Sequence, residues 1–216
     1  MNTYLDGEGG VFMEKSYTKI YTTGATVPLK IRPGHFATNH AHINYYIDVT
    51  TLKARTKEAE EVAQALVGMY LYDTVIDTIV CMEGTEVICA FLAEELAKGG
   101  FLSTNAHKSI YVISPEFNNN SQIIFRDNLI PMIRDKHVMI LMASVTTGRT
   151  LNKAVESIQY YGGILQGASA IFSAMDSLDG VPIKSVFGKK DLPDYTYSDY
   201  RDCPLCKAGK KIDALV

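Results

Sequence analysis

Apolar positions along the chain fall into two alternating patterns. Short runs rich in β-branched and aromatic residues read as strands: HINYYIDVT (42–50), DTIVCM (77–82), SIYVIS (109–114), Val138 to Met142, GASAIFSA (167–174) and VPIKSVF (181–187). Between them lie stretches with helical spacing. In TKEAEEVAQALVGMYLY (56–72), Val62, Ala63, Leu66, Met69 and Tyr70 make one face. Thr56 can cap that helix, and Glu58, Glu60 and Glu61 fall early, where acids suit a helix N-terminus. VICAFLAEELAKGG (87–100) predicts a second helix ended by Gly99-Gly100, and Leu151, Ala154, Val155 and Ile158 predict a third, ended by Gly162-Gly163. Residues 1–30 read as irregular, with a short strand near SYTKIYTTG (16–24) and Pro28 as a stop. PEFNNNSQIIFRDN (115–128) and the Tyr-rich end read as turns. Strands alternating with helices predict an α/β fold with a mainly parallel central sheet flanked by helices.

Composition narrows the partners. A chain of 216 residues is one domain, or one domain with an appendage, and it buries a core without staples. Its net charge of −3 comes with no basic stripe, so no nucleic-acid partner is expected. Lys207, Lys210 and Lys211 read as a solvated tail. No apolar run approaches the ~18 residues of a membrane span. The first residues lack a basic patch followed by an apolar core, so no secretory leader is expected. Four cysteines are too few for a disulfide framework and fit a reducing cytoplasm.

The stretch HVMILMASVTTGRTLNKAVESIQYYGG (137–163) joins a buried strand to a helix through a turn of small hydroxyl residues. The first N–H groups of a helix have no partners inside it and carry partial positive charge, so a phosphate placed there gains several charge-assisted hydrogen bonds. Gly148 lets the backbone approach closely, and Thr146, Thr147 and Thr150 offer hydroxyl donors. No Gly-Lys-Ser/Thr follows, so this is not a Walker loop, and the spaced glycines of the dinucleotide fingerprint are absent. The plainer alternative is a Thr-capped helix after a buried strand.

VMILMASVTTGRT resembles the ribose-phosphate signature of type I phosphoribosyltransferases: an apolar strand, two acids, two apolar residues, then Thr-Thr-Gly-x-Thr. GHFATNHAHINYYID (34–48), DTIVCMEGTEVICAFLAEEL (77–96) and GGILQGASAIFS (162–173) are similar to further segments of the orotate-specific members. The resemblance implies a type I phosphoribosyltransferase-like domain over 1–190, with an N-terminal hood segment at 1–50 and a Cys-containing tail at 191–216. It implies that Ser144, Val145, Thr146, Thr147, Gly148, Arg149 and Thr150 hold a 5′-phosphate. Glu83, Gly84, Thr85 and Glu86 would hold the diphosphate of phosphoribosyl pyrophosphate with Mg2+, which reverses the objection to two acids beside an anion. Glu86 also suits the start of its own helix. The expected ligand is a small phosphoribosyl or nucleotide molecule, and the expected assembly a cytoplasmic homodimer.

Three departures separate the chain from that pattern. Met142-Ala143 stands where two acids would meet the ribose hydroxyls. The segment corresponding to the mobile loop offers one cation, Arg126, either catalytic or paired with Asp127. NHAHI (39–43) replaces a Ser-Gly-Arg-x-Ser segment, leaving His40 and His42 to meet an anionic base, or a metal, from one face if the piece is extended. The implied reaction is transfer of phosphoribose to a nucleobase such as orotate. The alternative is a catalytically inactive protein that senses a nucleotide or phosphoribosyl pyrophosphate.

CPLC (203–206) has the Cys-x-x-Cys spacing of half a zinc site. Zn2+ at Cys203 and Cys206 would need completion by His residues or by the same pair from a second subunit. A redox dithiol and a simple Pro-containing turn are the other readings.

Overall fold

The computed structural model describes residues 17–98, 103–106 and 108–216. Most of the first thirty residues' N-terminal half and the Gly99-Gly100 helix stop therefore lie outside the described residues. The chain opens with an antiparallel ribbon, β1 (Thr18–Ile20), β2 (Leu29–Ala37) and β3 (His42–Asp48). Two helices follow, α1 (Thr50–Ala54) and α2 (Thr56–Val67). Next come β4 (Thr78–Cys81), α3 (Glu86–Lys98), β5 (Tyr111–Ile113) and a small hairpin, β6 (Glu116–Phe117) with β7 (Ile123–Ile124). Then β8 (His137–Val145), α4 (Arg149–Tyr160), β9 (Ile164–Ser173), β10 (Ser177–Leu178) and β11 (Val181–Gly188) complete the main body. The tail adds β12 (Tyr197–Ser198), α5 (Pro204–Lys207) and β13 (Ala214–Leu215).

The central sheet has the order β10-β11-β9-β8-β4-β5, and all its pairings are parallel except β10 with β11. Its inner strands are apolar without alternation because both faces are covered. Ile79, Cys81, Met139 and Leu141 pack toward α2 and α3, against Leu66, Ile88 and Leu92. The residues between them, Val80, Val138, Ile140 and Met142, pack with Leu151, Ala154 and Ile158 of α4 on the opposite face.

From β4 the chain passes through α3 to the edge strand β5, then returns to lay β8 on the other side of β4. The connections after β4 and β8 thus leave toward opposite faces of the sheet. A crevice opens at such a switch point, outside the carboxyl ends of the two strands.

Several local expectations need correction. Arg55, not Thr56, is the N-cap of α2, and Thr56 is its first helical residue. The helix stops at Val67, so Met69 is 36% exposed rather than part of the buried face. Tyr70 instead turns inward, and its hydroxyl meets Ser169 Oγ at 2.5 Å within the core. Thr50, expected to end the strand HINYYIDVT, instead opens α1. β2 has no counterpart in the hydrophobic pattern because Pro33 and Gly34 interrupt it. The strand absorbs both through a bulge between Pro33 and Phe36. Among the described residues, no helix is long and apolar enough to cross a membrane.

Leu141 is fully buried on the face of β8 covered by α2 and α3. Leu141→Ala should lower unfolding free energy by about 2–5 kcal/mol, read from the urea midpoint at unchanged m-value.

Candidate active site

A cleft of about 350 Å³ opens at the switch point. Its floor is the end of β8 and the start of α4, Met142 to Leu151 without a gap, and so includes every residue from Ser144 to Thr150. The hood supplies one wall through Thr38, His40, Ile43 and Tyr46, while Lys53, Glu83 and Tyr195 enter from three other elements.

The floor is shaped by Gly148. It is the N-cap of α4 in the left-handed conformation (φ 76°), and no side chain caps the helix. A Cβ here would fall 2.9 Å from Leu178 Cδ2, so both backbone strain and lack of space require glycine. The plainer expectation of a Thr-capped helix is thereby corrected. Thr147 Oγ1 accepts only a long contact of 3.5 Å from the Arg149 N–H. Thr146 Oγ1 instead meets the Tyr195 hydroxyl at 3.0 Å. Burial pushes that phenol up to about 12 against the opposing hydrogen bond from Thr146, so Tyr195 stays neutral. An uncapped helix start with two cleft-facing threonines and Arg149 beside it is suited to an anion.

Met142 and Ala143 are 2% and 5% exposed, and Met142 belongs to the core under α4. A carboxylate from another element reaches the end of β8. Glu83 adopts a left-handed backbone (φ 58°), and its Oε2 accepts from the Ser144 N–H at 3.3 Å, with the Ala143 N–H beside it. The residue as a whole keeps solvent access, yet its carboxyl is folded against the sheet edge. Burial of that carboxyl raises its pKa above the ordinary glutamate value. The two N–H groups and the Lys53 ammonium pull the other way without overcoming burial. Lys53 Nζ donates to the Glu83 carbonyl at 2.6 Å. Neither Glu83's reach nor Lys53's entry is visible in the linear pattern, because both depend on how α1 and the loop after β4 meet.

The other predicted residues are dispersed. Thr85 is fully buried and donates to the Met82 and Leu141 carbonyls, which leaves its hydroxyl turned away from any anion. Glu86 opens α3 and accepts from Ser114 Oγ at 2.9 Å, outside the cleft. Gly84 faces the Lys53 side chain. Arg126 is not among the cleft residues; Nη2 and Nε bind Glu116 at 2.9 and 2.5 Å. Its partner is thus Glu116 rather than Asp127. His40 lines the cleft, but His42 does not. The two-residue alternation expected for them fails because Thr38 turns the chain, its Oγ1 donating to the Ala41 carbonyl at 2.9 Å before β3 begins.

No protein-family model matches the chain, and no curated protein matches it in sequence. Solved structures do match its fold. A phosphoribosyltransferase from Corynebacterium diphtheriae gives a TM-score of 0.54 at 14% identity, over 76% of this chain and 90% of that one. The UMP synthase of Leishmania donovani gives 0.54 at 18%, over 76% of this chain and 34% of that one. The orotate phosphoribosyltransferase of Mycobacterium tuberculosis H37Rv in complex with 5-phospho-α-D-ribosyl 1-diphosphate gives 0.50 at 14%, over 68% and 82%. The chain has the type I phosphoribosyltransferase-like fold.

Two outcomes test the site. Gly148→Ala should weaken ribose 5-phosphate binding at least about tenfold by calorimetry, since strain of about 1–3 kcal/mol falls on the anion-facing turn. Gly180→Ala, also at positive φ but with open space around it, should bind as the parent does. The second concerns pH. A carboxyl whose pKa is raised by folding stabilises the folded state below its unfolded pKa, and this is lost as pH rises through the folded value. Glu83→Gln should therefore melt above the parent at neutral pH, and the difference should close as pH falls below the ordinary glutamate range.

Proposed function

We propose that this protein binds a 5-phosphoribosyl ester in the cleft and transfers phosphoribose from phosphoribosyl pyrophosphate to a nucleobase. The observation that carries this reading is the continuous lining of one cleft by Ser144 to Thr150 around an uncapped helix start, with the Glu83 carboxyl brought to the end of β8. In this reading the α4 amides, Thr147 and Thr150 hold the 5′-phosphate. Glu83 takes the ribose-hydroxyl contact that the resemblance assigns to an acid pair on the strand. Lys53 and Arg149 offset charge on the diphosphate, and Tyr46 and His40 meet the base.

In the transfer, the bond from the anomeric carbon to the diphosphate oxygen breaks and a bond from that carbon to a ring nitrogen forms. Diphosphate leaves with the bonding electron pair, and the nitrogen loses its proton if it carried one. Mg2+ fits a site with one protein carboxylate, Glu83, and substrate phosphate oxygens, and when bound it would neutralise the departing diphosphate. The chain's own groups orient the ester and exclude water beneath the hood.

The second reading, a sensor of the same ligands without turnover, is favoured by the apolar Met142-Ala143 pair and by Arg126 lying outside the cleft. A diphosphate-release assay with phosphoribosyl pyrophosphate, Mg2+ and a panel of nucleobases separates the two. Release with at least one base is expected, falling about 10–100-fold in Glu83→Gln, as the loss of a hydrogen bond from a charged group implies. Ala143→Asp should raise turnover by adding a second acceptor. Saturable ligand binding with no release from any base establishes the sensor instead, and absence of both overturns the cleft's assignment.

A further inference from the structure

We propose that His35, His42, Cys203 and Cys206 bind a zinc ion that pins the C-terminal tail to the hood sheet. One ligand atom from each of the four lies within 4.8 Å of all the others. His35 Nε2 is 3.1 Å from His42 Nδ1, 3.5 Å from Cys203 Sγ and 3.6 Å from Cys206 Sγ, while Cys206 Sγ is 3.2 Å from His42 Nδ1. Bond lengths of about 2.05 Å to nitrogen and 2.3 Å to sulfur in a tetrahedron give edges of about 3.3 Å (N to N) and 3.6 Å (N to S). These four separations are close to those edges, and the remaining two, from Cys203 to Cys206 and to His42, are within 4.8 Å.

The surroundings set the ligands for metal binding. His35 Nδ1 lies 2.8 Å from the Lys210 carbonyl, which can only accept. That places the ring proton on Nδ1 and turns the Nε2 lone pair toward the cluster, the second contact that metal-binding imidazoles characteristically have. The Cys203 sulfur accepts from the Cys206 and Leu205 N–H groups and is met by the His42 and Ser198 side chains. A sulfur held by N–H donors is a ready thiolate ligand.

The backbone is also built around this point. A Cβ on Gly34 would fall 2.6 Å from Asp213 Oδ2. The adjacent His35 N–H donates to that carboxylate at 2.7 Å, and its carbonyl accepts from the Asp213 N–H at 2.7 Å. The bulge that interrupts β2 thus offers His35 to the tail rather than to the sheet. The tail elements around the site are short: β13 pairs with β2 through two residues, β12 with β3 through two, and α5 has four. Four protein ligands close the coordination sphere, which marks a structural rather than a catalytic ion, and two nitrogens with two sulfurs in a tetrahedral set favour zinc. None of the four lines the cleft, so the site stands apart from the proposed transfer chemistry.

The test uses the full chain, expressed without a histidine tag in zinc-supplemented medium and dialysed. Elemental analysis should find about one zinc per chain. The protein stripped of metal and titrated with Co2+ should develop the visible bands of a tetrahedral ion and a thiolate charge-transfer band, and zinc should protect amides of 203–216 from exchange. Cys206→Ser, the substitution at the exposed ligand, should lose the charge-transfer intensity in part and bind zinc at least about tenfold more weakly. If that variant fails to fold, the cobalt titration of the parent chain decides. No thiolate band, less than about a tenth of a zinc per chain with both thiols reduced, or a Cys203–Cys206 disulfide in the metal-supplemented protein overturns the proposal. Stoichiometric iron in place of zinc overturns the identity of the ion.

Discussion

Burial of β8 on both faces is the constraint on which the rest of the structure depends. Met139 and Leu141 face one helix layer, and Val138, Ile140 and Met142 face the other, so a one-residue slip would carry each set into packing shaped for the other. Its carboxyl end is therefore a fixed platform. The departure of α4 from it, and the neighbouring loop after β4, place backbone amides, hydroxyls and the Glu83 carboxyl around one crevice. Burial also explains the apolar Met142: in this chain the position contributes to packing beneath α4, while the Glu83 carboxyl reaches the end of the strand from the loop after β4.

Parts of this arrangement are legible in the linear chain because local chemistry dominates there. An uninterrupted apolar run, a glycine among threonines and an apolar face at helical spacing suffice for β8, the turn and α4. Other parts are set by contacts between distant segments. Pro33 and Gly34 disguise β2, which becomes a strand through its pairing with β1 and β3 across a bulge. The α2 pattern continues past Val67 on paper, but Tyr70 is drawn away to a buried partner on β9.

The histidines show the same division. Alternation within one strand pairs His40 with His42, yet the turn at Thr38 separates them. Hairpin register holds the missing signal: Ala37 lies opposite His42, and His35 is two residues further back along β2. Cys203 and Cys206 were recognisable as half of a ligand set, whereas its other half depended on a cross-strand relation and a bulge. Lys53 was hidden for a similar reason, since a five-residue helix has too short a period to announce which way its side chains project.

The contact between Thr146 and Tyr195 joins the anion turn to the segment that leads into the tail. A ligand that takes the Thr146 proton leaves that junction only the arrangement in which the Tyr195 hydroxyl donates. Thermodynamic linkage then works in both directions: whatever occupancy of the turn does to the docking of the tail, docking does to occupancy by the same factor. Were the proposed ion bound at the tail, its gain or loss would be linked to occupancy of the crevice through that contact by the same rule.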